Sequence, residues 1–235
     1  MAYILCIETS THICSVALVR DNQVLTARQE NEGNSHANRL TPLIEQLFKD
    51  ENVSIKMEDI DAVAVSSGPG SYTGLRIGVS TAKGICFALD KPLIALTSLS
   101  ILAWPVVQNK ADGQAKSSSW FCPMIDARRM EVYSAMYDEH MVQQRATHAD
   151  IIDENSFREI LNERKVFFFG NGAGKCQAPL DHPNAVFPAY EGPLARNMAE
   201  MAYEAWQKEN FEDVAYFEPF YLKDFIATIP KRKVI

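Results

Sequence analysis

Residues 61–78 read DAVAVSSGPGSYTGLRIG and carry the strongest structural signal in the sequence. Small and β-branched residues over 61–67 predict a buried strand, the glycines that follow predict its end, and the spacing after them predicts a helix over 73–89. A glycine loop between a strand and a helix brings backbone N–H groups to a helix N-terminus, an arrangement that suits anions. The spacing matches neither the dinucleotide motif nor the P-loop. An anion site and a closely packed turn therefore both stay open.

The predicted helix carries small residues on one face. Gly74, Gly78 and Ala82 follow one another at intervals of four, and Lys83-Gly84 extends the pattern. Each glycine inside a helix costs about 0.5–1 kcal/mol relative to alanine. We expect that a close contact of this helix face compensates for that cost. The contact is with a ligand, with the sheet or with another helix, and its most specific form is contact with a helix of another chain.

The regions on either side of this helix predict a mixed sheet. Three apolar segments at 3–7, 14–20 and 23–30 read as hairpin-linked strands, and helical spacing begins behind Ser35, a candidate N-cap. A strand at 92–96 and a helix at 98–109 follow the helix over 73–89. Three strands followed by alternating helices and strands are typical of an α/β sheet with helices on its faces.

The second half of the chain repeats this order of parts. After a polar segment at 110–119, strands are predicted at 120–125 and 130–137, and a strand at 165–169 again runs into a glycine loop. Ile7-Glu8-Thr9 and Ile125-Asp126-Ala127 are equivalent strand ends in the two halves. We expect two duplicated mixed-sheet lobes, 1–109 and 110–235, with a helix at 194–207 and a terminal segment that packs back on the first lobe.

Composition limits the classes of function. The chain has 235 residues, a net charge of −7 and 47% hydrophobic residues, which fits a globular protein without the basic surface that nucleic-acid binding requires. The five cysteines form no CxxC pair, and Cys6, Cys14, Cys86 and Cys122 lie in apolar runs, which predicts reduced core thiols and a cytoplasmic location. Neither a signal peptide nor a membrane span is expected.

Few residues point to catalysis. Glu8 and Asp126 are expected at strand ends facing a shared cleft, where they either cap local N–H groups, which we favour, or serve as the acids of a phosphotransferase. The segment GNGAGKC at 170–176 is one residue too short for a P-loop and has Cys176 in place of the required hydroxyl. The sequence has no HxxxH pair, HExxH motif or GxSxG elbow, so metal and hydrolase sites lack support.

Several of these strings together resemble one family. ILCIETST at the start, GPGSYTGLRIG, IDARRMEVYSAMY, FFGNGA and PFYLKD near the end are similar to the bacterial TsaB proteins, also called YeaZ, over essentially the whole chain. The chain departs from that pattern at Tyr72, at Arg129-Met130 and at Lys223. The resemblance implies the two-lobed actin-like, sugar-kinase and Hsp70-type (ASKHA) fold.

The resemblance also implies a function without catalysis. It implies an accessory subunit required with TsaD and the ATPase TsaE for transfer of the threonylcarbamoyl group from threonylcarbamoyl-AMP to N6 of the adenosine 3′ to the anticodon, in tRNAs reading codons that begin with A. The HxxxH metal pair of TsaD is absent, because Leu40 stands four residues after His36. No catalytic, cofactor or metal residue is therefore expected in this chain, and a nucleotide at the junction of the complex stays open. The alternative is a stand-alone ATP-dependent phosphotransferase of the sugar-kinase type.

The implied partners define an expected surface. TsaD is expected to dock on helices 35–48 and 73–89, the same surface is expected to form a homodimer when TsaD is missing, and tRNA is expected to be contacted only indirectly. Whether the basic tail Lys231-Arg232-Lys233 touches tRNA stays open. The expected interface residues are His36, Arg39, Leu40, Leu43, Leu47, Thr73, Arg76, Ile77, Gly78, Ser80, Ala82 and Gly84.

Overall fold

The computed structural model describes residues 1–31, 36–109, 118–190 and 192–223. The candidate N-cap Ser35, residues 110–117 of the predicted boundary and the basic tail at 231–233 lie outside the described residues. Within those ranges, no helix is long and apolar enough to cross a bilayer.

The first lobe is a five-stranded mixed sheet with helices on both faces. Strand β1 is central: it pairs antiparallel with β2 and parallel with β4, giving the order β3-β2-β1-β4-β5. Its elements are β1 (Tyr3–Glu8), β2 (Cys14–Arg20), β3 (Gln23–Glu30), α1 (His36–Phe48), β4 (Ala62–Gly68), α2 (Tyr72–Leu89), β5 (Leu93–Thr97) and α3 (Ser98–Gln108).

The second lobe repeats this topology. Strand β6 pairs antiparallel with β7 and parallel with β9, and the order β8-β7-β6-β9-β10 reproduces that of the first sheet. Its elements are β6 (Trp120–Asp126), β7 (Glu131–Tyr137), β8 (Gln143–Ile151), α4 (Arg158–Glu163), β9 (Val166–Phe169) and β10 (Ala185–Val186). The predicted duplication of a mixed-sheet lobe is confirmed.

The continuous apolar runs of the first sheet reflect burial on both of its faces. Leu5 and Ile7 pack with α1 and α2, whereas Ile4 and Cys6 face the opposite side. A short 3₁₀ helix (Ala195–Met198) and the last helix, α5 (Ala199–Gln207), cover that second side. A division into domains at 1–109 and 110–235 therefore remains a proposal, with the later helix returning to the first sheet.

Helix α3 joins the lobes. Leu102 and Ala103 pack with Phe121 and Ile125 of the second sheet, while Ile101 packs into the core of the first. Helix α3 consequently packs the two lobes against each other.

Candidate functional site

A cleft of about 870 Å³ lies between the lobes, where the turns that follow β1 and β6 meet the N-terminus of α2. A volume of this size is in the range of small-molecule sites. The residues that line it are Ser10, Thr11, His12, His36, Ala37, Gly70, Ser71, Tyr72, Thr73, Gly74, Ile77, Ile125, Asp126, Ala127, Arg128, Tyr133, Asn171, Phe220, Tyr221, Leu222 and Lys223.

The acid of the first turn, Glu8, is buried. Its Oε1 accepts a hydrogen bond from the backbone N–H of Ser10 at 2.5 Å. Burial raises the pKa of Glu8 to about 7, and the nearby groups of Ser10 and Ser66 offset only part of that rise. Glu8 thus stabilises the β1–β2 turn through a buried hydrogen bond to its backbone.

The acid of the second turn, Asp126, is 45% exposed but makes the equivalent contact. Its Oδ1 accepts from the backbone N–H of Arg128 at 3.0 Å and forms an ion pair with Lys175. Lys175 Nζ also donates to the carbonyl oxygens of Arg129 and Glu131, each at 2.7 Å. Both acids therefore cap a backbone N–H two residues further on, and Lys175 fastens the second turn.

The glycines of the GPG loop and of α2 lie against the chain's own first turn. A Cβ on Gly70 would collide with the backbone of Ser10, and one on Gly74 or Gly78 would collide with Thr9. The close approach at Gly74 and Gly78 is therefore to the chain's own first turn, and contact of α2 with a helix of another chain stays a proposal. Gly84 differs, because a Cβ there would meet nothing within 4 Å.

The expected interface residues separate into a buried and an exposed set. Leu40, Leu43, Leu47, Gly78 and Ala82 lie inside the first lobe, so the apolar stripe of α1 is used by its own sheet. His36 and Ile77 are half-buried, and His36 Nε2 lies 3.4 Å from the carbonyl oxygen of Ile13. The exposed members are Arg39, Thr73, Arg76, Ser80 and Gly84.

Sequence reasoning missed the most exposed aromatic side chain of this surface. Phe87 is 86% exposed and lies seven residues after Ser80 and three after Gly84, which places it on the same side of α2. The helical spacing from Ser80 contained this signal. The line of exposed residues from Thr73 to Phe87 is called the α2 face below.

The two-lobed structure belongs to the actin-like class of folds. The activator of the 2-hydroxyisocaproyl-CoA dehydratase from Clostridium difficile, solved with bound ADPNP, matches it with a TM-score of 0.50 at 10% identity over 90% of this chain and 99% of that one. YeaZ from Pseudomonas aeruginosa matches with a TM-score of 0.78 at 28% identity, over 94% of this chain and 100% of that one.

Sequence comparisons place the chain more narrowly. Residues 28–231 match the family model described as TsaD, tRNA N6-adenosine threonylcarbamoyltransferase. The tRNA threonylcarbamoyladenosine biosynthesis protein TsaB of Haemophilus influenzae is 30% identical over 95% of this chain and 94% of its own length, and that of Escherichia coli is 29% identical over 95% and 96%. The Bacillus subtilis protein of the same name is 35% identical over 57% of this chain and 54% of its length. The chain belongs to the TsaB (YeaZ) family, within the wider family that the TsaD model describes.

Proposed function

We propose that this chain takes part in the formation of threonylcarbamoyladenosine in tRNA, as an accessory subunit that docks a TsaD-type transferase. The observation that carries the proposal is the similarity to TsaB proteins over nearly the whole chain. The relatives' name gives the pathway, and the chain's own surface suggests how it takes part. The ATPase TsaE joins the pair in this proposal, and the assembly works in the cytoplasm.

The α2 face is the proposed docking surface. Thr73, Arg76, Ser80, Gly84 and Phe87 are all exposed and follow one another at helical spacing. Apart from the one guanidinium of Arg76, this line is uncharged, and it ends in a large exposed ring. Interfaces favour aromatic and arginine anchors with few other charges at their centre. The buried set fixes α1 and α2 to the sheet beneath; its members are Leu40, Leu43, Leu47, Gly78 and Ala82.

Two features of the residues themselves support an accessory role rather than a catalytic one. Leu40, four residues after His36, is buried in the core and has no ligand atom to offer a metal. Glu8 and Asp126 are both engaged in capping their own turns. The net charge of −7 further suits a subunit whose partner holds the tRNA.

A binding measurement with a charged variant tests the docking surface. Ser80→Arg should weaken the affinity for the TsaD-type partner by at least about tenfold, because an interface would bury an unpaired guanidinium. Gly84→Arg should act in the same way, since a side chain there clashes with nothing in the chain itself. Gln143→Arg, on an exposed position of β8, is the matched control.

Native affinity of both α2 variants would refute the docking surface. The same variants address self-association: the surface is proposed to pair two copies when the partner is absent, so sedimentation of Ser80→Arg should give a monomer under conditions where the unaltered chain gives a dimer.

The rival function, an ATP-dependent phosphotransferase, rests on the volume of the interlobe cleft. Calorimetry of the isolated chain with magnesium-ATP discriminates between the two. The accessory role predicts neither binding nor turnover by this chain alone, whereas saturable heat together with phosphate transfer would favour the phosphotransferase.

A further inference from the structure

The segment after α5 runs back along α2 towards the cleft. Lys83 Nζ of α2 donates to the carbonyl oxygens of Ala215 and Phe217, at 3.2 and 2.9 Å. The ring of Phe217 packs against the core of the first lobe. Residues 215–223, called the strap below, therefore begin firmly attached to α2.

The middle of the strap is fixed at the end of β4. The backbone N–H of Phe220 donates to the carbonyl oxygen of Ser67 at 2.7 Å. Gly68, with φ of +110°, allows this approach, because a Cβ there would lie 2.7 Å from the carbonyl oxygen of Phe220. The ring of Tyr221 then lies 4.7 Å, centroid to centroid, from that of Tyr72 at the start of α2.

The far end of the strap reaches the second lobe. Lys223 Nζ forms an ion pair with Glu131 Oε2, and Glu131 is the first residue of β7. The strap from Phe220 to Lys223 lines the cleft together with residues of both lobes. It thus crosses from one side of the cleft to the other.

This crossing adds a further joint between the lobes. Packing along α3 is one joint, and Tyr190 is another, because its ring lies edge-on to Phe169 while its hydroxyl accepts a hydrogen bond from Asn197. Packed bodies can rotate against each other about such contacts. An attachment made at the cleft restrains that rotation.

We propose that the strap is an intramolecular latch that sets the opening of the interlobe cleft, with the Lys223–Glu131 ion pair as its fastening. The latch is independent of the proposed docking role. It assigns a role to residues 219–223, the described part of the PFYLKD segment, which the accessory function does not explain.

Distance measurement by double electron–electron resonance tests the latch on the full chain. Spin labels on Gln46→Cys in α1 and Glu159→Cys in α4 report the separation of the lobes, since both positions are exposed. The five native cysteines are buried, so the label attaches at the introduced sites. We expect a narrow distance distribution, and a broader one with its mean shifted after Lys223→Gln combined with Tyr221→Ala.

Matched controls separate the latch from a general loss of contacts. Lys208→Gln removes an ion pair with Glu204 at the C-terminal end of α5, and Tyr216→Ala removes a ring that is 84% exposed. Neither change should alter the distribution. Glu131→Gln breaks the fastening from the other lobe and should also broaden the distribution, as should Lys223→Gln alone. A native distribution in either fastening variant, with folding checked by circular dichroism, overturns the proposal.

Discussion

The side-chain hydroxyl of Thr9 donates a hydrogen bond to the carbonyl oxygen of Gly74 at 2.8 Å, which joins the β1–β2 turn to the first turn of α2. The backbone N–H of Ser71 adds a second bond, to the carbonyl oxygen of Ser10 at 2.7 Å. The absence of a side chain at Gly74 lets the helix meet the backbone of Thr9, and its absence at Gly78 leaves room for the Thr9 hydroxyl. The glycine pattern of α2 is therefore a requirement of the chain's own fold.

Alanine substitutions along α2 should have opposite effects on stability. Gly74→Ala should lower the free energy of unfolding by about 1–3 kcal/mol, because its Cβ would overlap the carbonyl oxygen of Thr9. Gly84→Ala should raise it by about 0.4–1 kcal/mol, since position 84 is open and alanine favours helix. Urea denaturation of both variants measures the two changes.

The position of Gly78 alters how docking can be tested. A charged side chain at position 78 would disturb the contact with Thr9 and lower the stability of the fold, so Ser80 and Gly84 are the informative positions for a docking test.

For the alanine variants, equal stability of Gly74→Ala and Gly84→Ala would contradict the close packing of the β1–β2 turn on α2.

Glu8 should make the stability of the chain depend on pH. Its pKa in the fold, about 7, lies above the ordinary value of 4.5, so the folded state binds the proton more tightly than the unfolded state does. The stabilising contribution is complete below about pH 4.5 and is lost as the pH rises through 7. Glu8→Gln, which carries no charge at any pH, should be more stable than the unaltered chain at pH 8 by up to roughly 3 kcal/mol.

Denaturant titrations of Glu8→Gln at pH 5 and pH 8 measure this effect. Glu45→Gln, which removes one negative charge from the exposed surface of α1, is the control and should leave the pH dependence unchanged. A Glu8→Gln variant with the pH profile of the unaltered chain would argue against a buried, readily protonated carboxyl.

The five cysteines should be unreactive in the folded chain. All are free and buried, and burial raises the pKa of Cys14 to about 12 and that of Cys86 to about 11, which leaves little thiolate at neutral pH. A chromogenic disulfide reagent should titrate none of them in buffer and all five in denaturant. Rapid reaction of even one thiol in the native protein would show that its surroundings open readily.

Apolar patterning predicted most of the first lobe. The strands at 14–20 and 23–30 match β2 and β3 at both ends, because each apolar run is bounded by turn residues. Strand β8 was not predicted: its sequence, QQRATHADI, is polar, and it lies at the edge of the second sheet, where pairing with β7 rather than burial makes it a strand. Helix α4 spans only Arg158–Glu163, too short for periodicity to reveal.

The candidate site was predicted only where its signal is local in the sequence. A strand that ends in an acid and a turn is a local pattern, so the places of Glu8 and Asp126 followed from sequence. The buried face of α2 is set by its contact with Thr9, a residue sixty-five positions before Gly74. The spacing of residues within the helix carries no information about so distant a contact. The spacing from Ser80 places Phe87 on the same side of α2, but an apolar residue on a helix normally indicates the core, so its exposure was overlooked.

The measurement that bears most directly on the accessory role is reconstitution of tRNA modification from purified components. A TsaD-type transferase, the TsaE ATPase, threonylcarbamoyl-AMP and substrate tRNA are combined with and without this chain, and threonylcarbamoyladenosine is quantified. The proposal predicts modification only when the chain is present, a strong reduction with Ser80→Arg, and no product from the chain and tRNA without the transferase. Full modification in the absence of the chain, or product formed by the chain without the transferase, would contradict it.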